Sequence, residues 1–318
     1  MPTYRDPIHG GITTIIQGPI NETSLKMIPN YLRIGPVVIH AWDFNQGKQR
    51  PWRLAPFYNK ALLQIKEEFG DRVKIILSPI PEESKNIEAI HSDRWSSWAK
   101  HFASSTFHFA MYGISDALRY VKTEYVLRTR SDEAYADTDF FVEALCKDPN
   151  KFVMGNIFVA PMREQEFHIG DHIYACKAED LYHATNQLAS FYYGYNKEVK
   201  WFYFQCPLAF EQVLAYSWMD CAGVDMELAL RPENIENIPL MINSCQEVKD
   251  IFLSNSTQSG VEHRKIKKQI IHDYFHVIDI NKTTPFVAKW NHGGKTYKNE
   301  FTNPHKVYSI GDMLHDYA

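Results

Sequence analysis

The run Tyr125-Val126-Leu127-Arg128-Thr129-Arg130-Ser131-Asp132-Glu133 sets a short apolar stretch directly before two cations and two acids. Such a stretch reads as a strand, and its polar end falls where the chain leaves the sheet. A carboxylate there, Asp132, could hold Mg2+ or Mn2+ against a diphosphate, because hard cations take oxygen ligands and keep some of their water. The metal would offset the charge gathering on a departing nucleoside diphosphate. Arg128 and Arg130 alternate along the strand and share one face, from which either could pair with a phosphate or fix a carboxylate. Ser131 sits between Arg130 and Asp132 and joins the same candidate donor-binding set. The plainer reading is a surface acid after an ordinary strand, with a solvated arginine pair.

The other candidates also lie at the ends of apolar runs. Gln17-Gly18-Pro19 closes the run Ile12–Ile16, and a glycine at a strand end allows close backbone approach to a nucleotide. A simple strand-to-helix turn would look the same. The chain contains neither GxGxxG nor GxxxxGK[ST], so a dinucleotide fingerprint and a P-loop are both unsupported. Asp43, which closes the second run, could accept from a base or a ribose hydroxyl, or cap a helix. Asp171, in Phe167-His168-Ile169-Gly170-Asp171-His172, could be the general base for an incoming hydroxyl or could hold the acceptor's hydroxyls. His168 and His172 are four apart, a spacing that aligns only on a helix. This segment reads as loop entering strand, so a histidine metal pair is not expected there. Glu211 opens a helix, either as a first-turn acid that favours the helix dipole or as an acid aimed into a cleft.

His272-Asp273-Tyr274-Phe275-His276 is close to the HExxH zinc-hydrolase pattern. Its Asp is one methylene short, no third ligand follows, and the β-branched surroundings read as strand. Zinc hydrolysis is therefore the remote alternative. The basic run His263–Lys268 reads first as a solvated helix face, and second as a contact with an anionic membrane surface.

Placing these residues at one edge requires a particular order of elements. Ile12–Ile16, Val37–Ile39, Val73–Leu77 and Tyr125–Leu127 read as strands. Between them, Leu25–Leu32, Pro56–Phe69 and about Arg94–Tyr120 carry helical patterns. This strand–helix alternation is that of an open α/β sheet, in which ligands sit beyond the carboxyl ends of the strands. After residue 150 the pattern loosens: Phe152–Ala160 and His172–Ala175 read as strands, Ala178–Ala189 and Leu208–Trp218 as helices, and the tail from Val287 as irregular.

Composition narrows the classes. The 318 residues carry 34 Lys+Arg against 38 Asp+Glu, with 45% hydrophobic residues. That balance excludes a disordered chain and a strongly basic nucleic-acid binder. Five cysteines with no CxxC pair argue against a disulfide framework or a thiolate zinc site and for reduced thiols in a cytoplasmic protein. No stretch reaches the length of a bilayer span. The expected location is cytoplasmic, with the basic run as the one route to a peripheral membrane contact.

Taken together, Ile-Ile-Gln-Gly-Pro, Ala-Trp-Asp, the helix with Ser104-Ser105-Thr106 and Gly113, and Tyr-Val-Leu-Arg-Thr-Arg-Ser-Asp resemble the WavE-type glycosyltransferases of lipopolysaccharide and surface-polysaccharide synthesis. The match spans about residues 12–215. The resemblance implies an α/β, GT-A-like Rossmannoid mixed sheet flanked by helices, with an irregular C-terminal extension. It implies a catalytic domain over 1–220, with a nucleotide-sugar half at about 10–135 and an acceptor half at about 136–220. Residues 221–318 would pack on that domain. The donor would be a nucleotide sugar and the acceptor a glycan or lipid-linked oligosaccharide. Gln17, Gly18 and Asp43 would line the nucleotide, and Asp132 would meet the diphosphate, through a divalent metal, with Arg130 beside it. Asp171 and Glu211 would face the acceptor. A sugar nucleotidyltransferase would share the sheet and the acid. It needs a Gly-rich basic loop after the first strand, however, and residues 17–22 contain no Lys or Arg. A non-catalytic nucleotide- or carbohydrate-binding protein is the remaining alternative.

Overall fold

The computed structural model describes residues 11–18, 22–43, 55–79, 110–131, 133–156, 167, 169–193, 210–225, 260–283 and 286–287. The strands are β1 (Ile12–Gln17), β2 (Val37–Asp43), β3 (Val73–Pro79), β4 (Tyr125–Arg130), β5 (Ala134–Tyr135), β6 (Phe152–Gly155), β7 (Ile173–Lys177), β8 (Phe275–Ile278) and β9 (Phe286–Val287). The helices are α1 (Glu22–Ile34), α2 (Ala55–Phe69), α3 (110–118), α4 (Asp139–Lys147), α5 (Ala178–Tyr193), α6 (Phe210–Cys221), α7 (Gly260–Tyr274) and α8 (Ile280–Thr283).

Among the described residues, seven strands form one sheet in the order β3-β2-β1-β4-β7-β6-β8. β1 is parallel to both β2 and β4, and β2 to β3. β7 runs antiparallel to both β4 and β6, and β8 is parallel to β6. The mixed α/β sheet flanked by helices is thus present. All six residues of β1 are buried, as a central strand covered on both faces requires. β3, at the sheet edge, alternates buried and exposed positions.

Helices cover both faces. One face packs Ile15, Val38, Val126 and Tyr174 against α3, α5, α6 and α7, with Trp218 and Phe275 at its centre. The other packs Ile16, Val37 and Ile39 against α1 and α2, and Leu127, Val153 and Ala175 against α4.

Several boundaries differ from the sequence reading. β2 runs four residues further than Ile39 and β4 three further than Leu127, so Arg128, Thr129 and Arg130 lie within the ladder instead of after it. Ile270–Tyr274 is helix, not strand: Ile266, Ile270, Ile271 and Tyr274 recur at three- and four-residue spacing on the covered side of α7. That amphipathic stripe outweighs the weak strand preference of β-branched residues. The helix ends inside the HDYFH sequence. His272 then pairs with Asp273 and His276 with Asp148, so the two rings engage different acids.

The basic run is not uniformly solvated. Arg264, Lys265 and Lys268 are exposed, but Lys267 is fully buried, three and four residues before the core residues Ile270 and Ile271. Among the described residues no helix is long and apolar enough to cross a membrane.

Candidate active site at the β1–β4 switch point

β1 leads to β2 and β3 on one side, whereas β4 pairs on the other. The strand order therefore reverses between β1 and β4, the position at which open sheets of this kind bind ligands. Hydrogen bonds hold β1 to the end of this gap: Gly18 N donates to His40 O at 3.2 Å and Ser131 N to Gln17 O at 2.9 Å. Gly18 has φ +120°, and a Cβ on it would lie 2.7 Å from Ser131 Oγ. Only glycine fits this backbone comfortably, and the space its side chain would take is filled by Ser131.

Under the gap lies a buried polar network. Arg128 donates from Nε (3.2 Å) and Nη2 (2.8 Å) to Gln17 Oε1. Its Nη1 donates to the Asp171 carbonyl and stands 4.0 Å from Asp171 Oδ2. The guanidinium also lies 5.6 Å from the centre of the Tyr174 ring. Burial lifts the Tyr174 phenol well above its ordinary range, and the neighbouring Arg128 opposes this only in part. Gln17 Nε2 donates to the Ala110 carbonyl at 2.6 Å, which anchors the described start of α3.

β7 is antiparallel to β4, so its entry lies at the same rim as the exit of β4. That reversal brings Asp171 and His172 beside Arg128. His172 Nδ1 is hydrogen-bonded to Glu133 Oε1, and Tyr135 donates its hydroxyl to Glu133 Oε2 at 2.7 Å. Arg130 Nε stands 3.7 Å from Glu133 Oε1, with the arginine side chain 20% exposed at the rim. Burial, then the Glu133 charge, hold the Tyr135 phenol far above its usual range.

A second cluster sits one strand over. His40 Nε2 lies 3.0 Å from Ser78 Oγ, which donates to Asp116. The bond from His40 is the main cause holding the Asp116 carboxyl below its ordinary value, against a smaller desolvation effect. Serine and aspartate both meet the same ring nitrogen, whereas a nucleophilic triad puts them on opposite nitrogens. This set is therefore not a serine nucleophile. It ties α3 to β2 and β3.

Gly113 of α3 lies flat on this polar row: a Cβ there would be 2.6 Å from Gln17 Nε2 and 2.8 Å from His40 Nδ1. Helix propensity alone would make Gly113→Ala stabilising by up to about 1 kcal/mol. Both contacted groups are pinned, so we expect a net loss of about 1–3 kcal/mol, read as a lower urea midpoint at unchanged m-value.

Of the residues singled out in the sequence, Gln17, Gly18, Arg128, Arg130, Ser131 and Asp171 meet at this rim. Asp43 ends β2 in register with Pro79, on the neighbouring strand. Glu211 is in the first turn of α6. Pro19, Asp132 and His168 lie outside the described residues. Glu133 and His172 join the constellation although neither was a chosen candidate. Their signal was present in two places, an acid directly after the strand-end motif and a histidine directly before a strand, but only the strand direction unites them.

Among the described residues no three His, Cys, Asp or Glu side chains are grouped to hold a metal ion. Both Glu133 oxygens are engaged, and Asp171 is bracketed by Arg128 and His172. Asp132, the residue that the resemblance gives to Mg2+ or Mn2+, lies outside the described residues, and no step below passes through a metal.

No family model matches the chain, and no curated protein does. Among solved structures, it is weakly similar to HddC from Yersinia pseudotuberculosis complexed with GMP-PN, at 8% identity over 54% of this chain and 79% of that one, TM-score 0.30. A second structure of the same protein gives 9% identity, the same coverage and a TM-score of 0.29.

Proposed function

We propose that the chain is a transferase acting on a nucleotide-sugar donor, and that it moves the sugar onto a hydroxyl of a glycan or lipid-linked acceptor, as the WavE-type resemblance implies. The observation that supports this reading most is the rim of the switch point. A glycine, an arginine whose side chain is 20% exposed and a carboxylate converge there at the carboxyl ends of β1 and β4. On this reading the diphosphate approaches the Gly18 backbone beside Ser131, and Arg130 offsets the charge it gains on leaving. Arg128, locked under the gap, sets the orientation of Asp171. Asp171 accepts the proton of the attacking hydroxyl. Asp132, at the strand-end acid position, belongs to the donor side.

Nucleotidyl transfer from a nucleoside triphosphate is the competing chemistry at such an edge. Only residues 18–21 connect β1 to α1, and they contain no basic residue to wrap a triphosphate, which favours glycosyl transfer.

Product identity separates the two. Incubating the protein with UDP-, GDP-, dTDP- and CMP-sugars and an acceptor panel is expected to release a nucleoside diphosphate or monophosphate from one donor class. The same nucleotide should raise the melting temperature, because selective binding to the folded state stabilises it. Pyrophosphate release from a nucleoside triphosphate and a sugar phosphate would instead establish nucleotidyl transfer. Binding without either product would make the chain a non-catalytic receptor.

A further inference from the structure

His172 stands between two acids. Its Nδ1 bonds Glu133 Oε1, its Nε2 lies 3.4 Å from Asp171 Oδ1, and its side chain is only 4% exposed. Glu133 is an acceptor on both sides: the Tyr135 hydroxyl donates to Oε2 at 2.7 Å, and Arg130 Nε approaches Oε1 at 3.7 Å. With donors arrayed around that carboxylate, Nδ1 must carry a proton. In the neutral ring the lone pair then sits on Nε2. Two proton-accepting atoms, Nε2 and Oδ1, then face each other 3.4 Å apart, an arrangement that can take up one proton between them.

We infer that the proton-accepting unit of the proposed transfer is the Asp171–His172 pair, held in its working tautomer by Glu133, and not Asp171 alone. This rests on the glycosyl-transfer reading. In the step, the acceptor oxygen forms a bond to the anomeric carbon. The bond from that carbon to the diphosphate oxygen breaks, and its electron pair leaves with the diphosphate. The hydroxyl proton passes to Asp171 and is held between Oδ1 and His172 Nε2. No further reactant enters.

Asp171 is the catalytic residue, whereas His172 and Glu133 act through it as positioning residues. Arg128 faces the pair from β4 through the Asp171 carbonyl. Arg130 from β4 and Tyr135 from β5 face it through Glu133, and the Tyr174 ring of β7 lies against Arg128. Proton uptake therefore belongs to the coupled pair and not to either member.

His172→Gln retains a polar bridge but cannot take up a proton, and Glu133→Gln offers an amide that favours the opposite tautomer. With donor and acceptor saturating, kcat is expected to fall about 100-fold or more in His172→Gln, the range for a lost acid–base partner. The KM for the donor should stay within about threefold, and the limb of kcat that rises with pH should disappear. Glu133→Gln should displace that limb. An unchanged limb in either variant, or a kcat within about threefold of wild type in His172→Gln, overturns the inference. If His172→Gln does not fold, the Glu133→Gln profile decides. A wild-type protein that releases no nucleotide from any sugar donor defeats the glycosyl-transfer reading instead. The 15N shifts of the His172 ring still test the local arrangement in that case. A proton on Nδ1 upholds the Glu133 contact, and a bare Nδ1 overturns it.

Discussion

Replacing Arg128 by methionine is expected to cost about 3–5 kcal/mol of folding stability, the range for stripping one partner from a buried ion pair. The guanidinium is the sole side-chain cation among the described residues that joins β1, β4 and the entry to β7 in one contact set, through Gln17 Oε1, the Asp171 carbonyl and the Asp171 carboxylate. Methionine fills much of the same volume, so the loss does not come from a cavity. It comes from two carbonyl oxygens left without their donor and a carboxylate left without its counter-ion, each desolvated. Urea denaturation should show a lower midpoint with little change in m-value. In an Asp171→Asn background the same replacement should cost less, because no charge is stranded. Arg128→Lys should recover only part of the loss, since an ammonium cannot reproduce the planar fork that spans Gln17 and Asp171 together. If Arg128→Met were as stable as wild type, the network would be incidental to the fold.

Trp218→Ala should cost about as much, about 3–5 kcal/mol, for an unrelated reason. The indole is fully buried. Its ring centre lies 5.1 Å from Phe152 of β6 and 5.5 Å from Phe275 of β8, and Phe152 stacks on Tyr174 of β7 at 4.8 Å. The side chain thus bolts α6 to β6 and β8, and through Phe152 to β7, and its removal leaves a hole that rigid aromatic neighbours cannot close. Aromatic pairs such as the edge-to-face Trp218–Phe152 contact add about 0.5–1.5 kcal/mol beyond area. Trp218→Phe should lose markedly less. Hydrogen exchange offers a local readout: the amides of Phe275–Ile278 should lose protection in Trp218→Ala more than those of β1, which lies outside this cluster of rings.

What the sequence made legible was whatever depends on local pattern. The β-branched run at Ile12–Ile16, the apolar Val37–Ile39 and Val73–Leu77, and the glycine after Gln17 announce the parallel half of the sheet and the rim where its strands end. Composition and cysteine spacing also excluded whole classes without reference to any fold. Strand direction was not legible. Ile173–Lys177 has the same apolar character whether it runs up or down, and only its antiparallel placement carries Asp171 and His172 to the end of β4. The fate of Glu133 was hidden for a related reason. An acid after a strand looks solvent-bound until Tyr135 and His172 are seen to enclose it. The stretch Ile270–Tyr274 misled because β-branched residues favour strands only weakly, and burial of Ile270 and Ile271 in the core cluster that holds Phe152 and Trp218 was enough to decide otherwise. Gly113, read in the sequence only as part of a resemblance, has a plain steric duty against Gln17 and His40.

The outermost strand of the sheet, β8, comes from residues 275–278 and lines up beside β6, which ended at residue 155. Some 120 residues must therefore be made before β6 finds its second neighbour. On the ribosome, at about 5–20 residues per second, the Phe152–Gly155 backbone waits several seconds with one row of amides and carbonyls uncovered. An unprotected row of that kind templates pairing with other chains. Production of this protein should accordingly be sensitive to holdase chaperones and to low temperature, and shortened versions ending ahead of Phe275 should collect in inclusion bodies.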